Sequence, residues 1–190
     1  MDVLTTIRDR RATRAYTDEK VERLTVEQLL GIAVQAPSAM NDQPWAFVVF
    51  DGAQRLRGFS DQAKKVLLAA GQLDFSPQIR TMLTDVAFSI FYGAPVLIVI
   101  CATSAQAQAA EDCCLLAQTL MLAAHDAGLA TCPIGFARPW LNLPETKRLL
   151  GIPESYHPVF PVILGHAAQT TPSHGRRPPT IVWPDATRGR

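Results

Sequence analysis

Val96-Leu97-Ile98-Val99-Ile100-Cys101 is an unbroken apolar run with no alternation between a wet face and a dry one. Such a run suits a strand covered on both faces by helices, so it is placed at the centre of a sheet. The segment after it, from Glu111 to Ala127, is apolar or small at nearly every position beyond its first turn, including Leu115, Leu116, Leu120, Met121 and Leu122. A helix with that composition has no solvent face and lies in a core or against a partner subunit. Gly128 ends it, and Leu129 to Gly135 reads as a short strand or strand-like turn. Pro144 to Leu150 has the form of a short helix, with proline near its start and Gly151 just past its end. Val159 to Leu164 gives another strand, in which Pro161 asks for an edge or a bulge.

Upstream, Thr25-Val26-Glu27-Gln28 has the capping-box form and predicts a helix from about Thr25 to Gln35, stopped by Pro37. Trp45-Ala46-Phe47-Val48-Val49-Phe50, ahead of the turn dipeptide Asp51-Gly52, reads as the first strand. Ala53 to Ala70 reads as helical, Leu73 to Pro77 as a loop, and Pro77 to Phe91 as a further helix. Helices alternating with strands give an α/β or α+β domain with a mixed central sheet flanked by helices. From Ala167 onward the chain is proline-rich and basic, yet Ile181, Val182 and Trp183 call for burial. The tail is therefore expected to pack across the body or across a second subunit.

Composition bounds what this fold can do. With 190 residues, 48% hydrophobic and 18% charged, the chain can bury a core without disulfides or a structural metal, and residues 1–190 are expected to form one domain. A net charge of +1 argues against nucleic acid as a partner. The longest apolar stretch, residues 93–102, is about half of the ~20 residues a spanning helix needs, so no membrane role is expected. Charges at Asp2, Arg8, Asp9, Arg10 and Arg11 replace any secretory apolar region, which points to the cytoplasm. Cys101, Cys113, Cys114 and Cys132 lack metal-ligand spacing and read as buried reduced thiols. Gly-x-Gly-x-x-Gly, Gly-x-x-x-x-Gly-Lys-Ser/Thr, Gly-x-Ser-x-Gly and His-Glu-x-x-His are all missing, which argues against Rossmann, P-loop, α/β-hydrolase and zincin chemistry.

Three clusters remain. Arg10-Arg11-Ala12-Thr13-Arg14 offers three guanidinium forks and a hydroxyl, either for a dianionic phosphate or as a solvated basic face. Ala36-Pro37-Ser38-Ala39-Met40-Asn41-Asp42-Gln43-Pro44-Trp45 can present a hydroxyl and two carboxamides to a heteroaromatic ring, or can simply satisfy its own loop. Gly128-Leu129-Ala130-Thr131-Cys132-Pro133-Ile134-Gly135-Phe136 permits close approach of main chain to a ligand, and serves equally as a tight connection.

Taken in this order the clusters resemble the FMN-dependent nitroreductase family. The likeness rests on Arg-Arg-x-x-Arg at 10–14, Ala-Pro-Ser-x-x-Asn-x-Gln-Pro-Trp at 36–45, Gly-Ala-Pro before the central strand, and Gly-Leu-x-Thr-Cys-Pro-Ile-Gly at 128–135. Leu-Gly-Ile-Pro-Glu at 150–154, Leu-Gly-His at 164–166 and Arg176 followed by prolines complete it. The resemblance implies an α+β, nitroreductase-like fold and an obligate homodimer, with FMN at the interface and the C-terminal tail exchanged between subunits. It implies that Arg10, Arg14 and Arg176 hold the phosphate, with Arg11, Ala12 and His174 close by. Pro37, Ser38, Ala39, Asn41 and Gln43 of the other subunit would line the ring and ribityl, and Pro133, Ile134 and Gly135 would give main-chain contact near flavin N5. No side chain need be catalytic and no metal is implied, because the flavin carries the chemistry. NAD(P)H as reductant and a nitroaromatic, quinone or similar electron-poor acceptor would then use one cleft in turn, by a ping-pong mechanism. Two other readings stand beside this one: a flavin storage or sensor protein, and a flavin-free anion-binding domain.

Overall fold

In the computed structural model, which describes residues 2–69, 75–173 and 175–184, the central run is strand β2, Val96–Ala102. It is buried along its whole length. Its neighbours are β1 (Trp45–Asp51) on one side and β4 (His157–Gly165) on the other, with β3 (Ala130–Pro133) beyond β4. The order β1-β2-β4-β3 is antiparallel at every step. The expected mixed character enters only through an isolated parallel bridge, Ala12 to Thr131, on the far edge of β3. β-Bonding alternates the side chains of β2 between two cores. Val96, Ile98, Ile100 and Ala102 face one layer and Leu97, Val99 and Cys101 the other.

The first layer is α2 (Arg23–Ala33) and α5 (Ala107–Asp126); the second is α3 (Ala53–Ala69), α4 (Pro77–Thr84) and α6 (Arg138–Leu141). Helix α1 (Val3–Asp9) precedes them, and α7 (Pro144–Leu150) ends on Gly151 in the left-handed conformation, as its sequence predicts. Among the described residues no helix is long and apolar enough to cross a membrane.

Two helix ends and one strand position differ from expectation. Helix α2 starts at Arg23 with Glu22 at its N-cap, so Thr25 lies inside the first turn and the capping box is not used. There the side chain of Arg23 pairs with Glu27 at 2.7 Å across one turn, and Val26 is already in the core. Helix α4 ends at Thr84 instead of running to Phe91. The Asp85 carboxylate accepts from the Ala87 N–H at 2.8 Å and turns the chain, and buried groups of α3 take up the backbone that follows. Residues 70–74, including the start of the expected 73–77 loop, lie outside the described residues. Pro161 sits in β4, an interior strand, in register with Val99; the strand's register shift falls between Phe160 and Pro158, opposite Ile100 and Cys101, so β4 has a bulge but is not an edge.

Cys101, Cys113 and Cys132 are buried free thiols, while Cys114 is exposed. Burial pushes Cys101 and Cys113 up to about 12. Helix α5 buries Leu116, Leu120, Met121 and Ala124, yet leaves Cys114, Gln118 and a half-exposed Leu115 uncovered. Ile181, Val182 and Trp183 are likewise exposed, Trp183 to 83%. Within one copy, then, these three side chains find no burial.

Gly165 closes β4 where a side chain has no room. A Cβ there would stand 2.6 Å from Pro95 Cδ and 2.9 Å from the Tyr16 ring. Gly165→Ala is expected to cost about 1–3 kcal/mol through this overpacking, read as a lower midpoint in thermal or urea unfolding.

Candidate functional site

Helix α1 delivers the arginines to the sheet edge. Its last turn is closed by Arg11, whose Nη1 donates to the Arg8 and Arg10 carbonyls and whose Nη2 donates to Ser173 Oγ at 2.7 Å. The Arg11 guanidinium is thereby committed to the protein. Beyond it the chain is extended: Ala12 bridges to Thr131, and the Thr13 N–H donates to the Thr131 carbonyl at 3.0 Å. This pairing sets residues 10–14 directly beside β3 and the Pro133-Ile134-Gly135 turn.

Two cavities flank the junction, each of about 310 Å³. The first is lined by Arg10, Arg11, Thr13, His125 and Thr171, among others. Burial, reinforced by the like charges of Arg11 and Arg176, pushes the Arg10 guanidinium below its ordinary value. The Nε2 atom of His125 is buried without a hydrogen-bond partner. Among the described residues no salt bridge joins a carboxylate to Arg10, Arg11, Arg14 or Arg176, although Asp9 lines the same cavity. A guanidinium cluster without such a bridge carries the electrostatic demand of an anion site.

The second cavity is lined by Arg14, Ile90, Tyr92, Cys132, Pro133, Ile134, Gly135 and Phe136. Nothing lies within 4 Å of where a Cβ on Gly135 would stand, so the main chain there is open to a flat ligand. Burial raises the Cys132 thiol, with Arg14 and Arg10 opposing it. Burial also raises the Tyr92 phenol, again against Arg14, which keeps the hydroxyl protonated. Tyr92 has φ 53°, a left-handed conformation that costs a bulky residue about 1–3 kcal/mol and clusters at functional sites.

The loop at 37–43 carries the same mark three times. Met40, Asn41 and Gln43 all have positive φ, between 49° and 57°. Ser38 Oγ accepts from the Gln43 N–H at 2.9 Å, and Gln43 Nε2 donates to Asn41 Oδ1 at 3.3 Å. The Ala39 N–H donates to both oxygens of the buried Asp112 carboxylate, which docks the loop on the first half of α5. His125, which lines the arginine cavity, is at the other end of that helix, some 20 Å away along its axis at 1.5 Å per residue. One copy therefore brings together Arg10, Arg11, Ala12, Arg14, Pro133, Ile134, Gly135 and Arg176, and holds Pro37, Ser38, Ala39, Asn41 and Gln43 elsewhere. His174 lies outside the described residues.

Sequence reading missed Asp112, His125, Phe136 and Tyr92. Asp112 sits in an otherwise apolar helix, which is a usable signal; Tyr92 has none.

A model of the Nitroreductase family matches residues 7–166. FMN reductase (NAD(P)H) of Bacillus subtilis is 27% identical over 190 residues, covering 95% of this chain and 72% of that protein. Nitroreductase NfnB of Mycolicibacterium smegmatis is 28% identical, covering 96% and 90% respectively. The crystal structure of a nitroreductase with bound FMN from Desulfitobacterium hafniense superposes with a TM-score of 0.82 at 28% identity, covering 97% of this chain and 100% of that one.

Proposed function

Because the chain belongs to the nitroreductase family, we propose that it is an NAD(P)H-dependent FMN oxidoreductase acting on nitroaromatics, quinones or similar electron-poor acceptors. The observation that carries this reading is the adjacency of an arginine cluster to an open glycine main chain on the β3 edge. The donor set fits FMN at both ends. Arg10 and Arg176, with the unpartnered His125 Nε2 nearby, suit a phosphate dianion, and Pro133-Ile134-Gly135 suits a planar ring laid on main chain. FMN, when bound, would supply hydride-transfer chemistry between NAD(P)H and the acceptor.

The residues themselves bind and orient. Arg10 and Arg176 neutralise the phosphate. Arg14 lines the second cavity, so its charge stands at the ring end of the site. Phe136 borders the cleft beside the open main chain of Gly135. No carboxylate or imidazole is among the cleft's described lining residues, in keeping with chemistry that needs no side-chain acid or base.

The polar loop belongs to a second copy. A two-fold dimer through the uncovered stripe of α5 sets the 37–43 loop of one subunit against the arginines of the other, which one chain cannot do for itself. The exchanged tail has a destination too. Strand β1 is at the sheet edge, beside a groove of about 480 Å³ whose apolar floor of Val21, Val26, Leu30, Phe47 and Val49, rimmed by Arg23, Glu27 and Asp51, would take Ile181, Val182 and Trp183 of a partner.

The kinetic test is steady-state turnover of the FMN-loaded protein with NADPH and p-benzoquinone. Parallel double-reciprocal lines are expected, since reductant and acceptor occupy one cleft in turn. Intersecting lines contradict the shared cleft, and tightly held FMN without turnover favours the storage or sensor reading.

A further inference from the structure

We propose that Tyr92 is a positioning residue: its ring holds the Arg14 guanidinium at the cleft formed with Pro133, Ile134 and Gly135, and helix α3 fixes Tyr92 in turn. The inference rests on the FMN reading for the ligand that Arg14 meets.

Arg14 is a long side chain at the wall of a cavity, and no carboxylate holds it among the described residues. Its guanidinium carbon lies 5.9 Å from the centroid of the Tyr92 ring. A carboxylate partner would order Arg14 and cancel its charge. An aromatic ring orders it and leaves the charge available to the ligand.

The ring is itself held from behind. Phe88 meets it edge-on, with centroids 5.6 Å apart. The turn that carries both is gripped by two buried polar side chains of α3. Lys64 Nζ donates to the Phe88 carbonyl at 2.6 Å and the Asp85 carbonyl at 3.0 Å, and Ser60 Oγ accepts from the Ile90 N–H at 3.0 Å. Lys64 and Ser60 are 6% and 0% exposed. A buried lysine directed at main-chain carbonyls of one turn specifies the course of that turn, and here the turn leads into a tyrosine at φ 53°. Nothing about a simple connection into β2 requires a large ring in that conformation, since Gly93 follows immediately with φ 76°.

The test is a double-mutant cycle on FMN affinity, read by quenching of flavin fluorescence. Tyr92→Asn removes the ring with a residue that accepts positive φ, so the backbone is kept, and Tyr92→Gly serves if that variant does not fold. Tyr92→Asn is expected to weaken FMN binding about tenfold, while Tyr92→Phe, which keeps the ring, stays within about twofold of wild type. Adding Tyr92→Asn to Arg14→Gln is expected to change the affinity no further, because Tyr92 acts through Arg14. Wild-type affinity in Tyr92→Asn, or losses that multiply in the double variant, would overturn the proposal. Failure of the wild-type protein to bind FMN is a separate result, and it removes the FMN reading together with this inference.

Discussion

Arg10→Ala is expected to release FMN. The Arg10 guanidinium sits partly buried against Arg11 and Arg176, an arrangement that burial and like charge both disfavour. A phosphate dianion relieves that repulsion and accepts from the guanidinium forks through charge-assisted hydrogen bonds. Removing Arg10 loses both terms, and Arg11 is a poor substitute because its two terminal nitrogens already donate to Arg8, Arg10 and Ser173. A loss of about 2–3 kcal/mol, or roughly a hundredfold in Kd, follows. Arg10→Ala combined with Arg14→Ala is expected to emerge colourless from gel filtration. Retention of flavin by the double variant would mean that another anion uses this cluster.

Leu115→Arg is expected to separate the dimer and lose the cofactor together. Leu115 is 49% exposed on a helix that buries Leu116, Leu120 and Met121, beside the exposed Cys114 and Gln118. In the proposed dimer that stripe is the central contact, and a charge buried there without a partner costs several kcal/mol. Dimer affinity should fall at least a hundredfold by sedimentation, or about 3 kcal/mol. FMN binding should fall with it, although Leu115 lines neither cavity, because the 37–43 loop would no longer reach the arginines. A monomer that binds FMN as tightly as wild type would show that one chain completes the site. Mixing Arg10→Ala and Asn41→Ala chains offers a complementary check, since every mixed dimer regains one intact site only if each site is shared.

How much of this was legible follows from where each signal is written. The β2 run and α5 carry their burial in consecutive residues, so both were readable to within a few positions. The start of α2 was misplaced because the capping-box pattern is local, whereas Val26 entering the core and the Arg23–Glu27 pair favour an earlier turn. Residues 86–91 look helical in isolation. Their path is set instead by Lys64 and Ser60, more than 20 positions upstream, and no window along the chain contains that information. The same non-locality hid Tyr92, whose meaning is given by Arg14 across the cleft. The arginines and the 133–135 turn stand out in the sequence because their chemistry is intrinsic to residue type, and the fold sets the two segments side by side. In the polar loop Asn41 announces positive φ, while Met40 and Gln43 adopt it against their preference.

The most direct measurement is the visible spectrum of the purified protein, taken without oxygen before and after NADPH and then NADH. Flavin bands that bleach with a reduced nicotinamide and return when a quinone or nitroaromatic is added are the predicted result. A protein that stays colourless after incubation with FMN, or flavin that neither nucleotide bleaches, would contradict it.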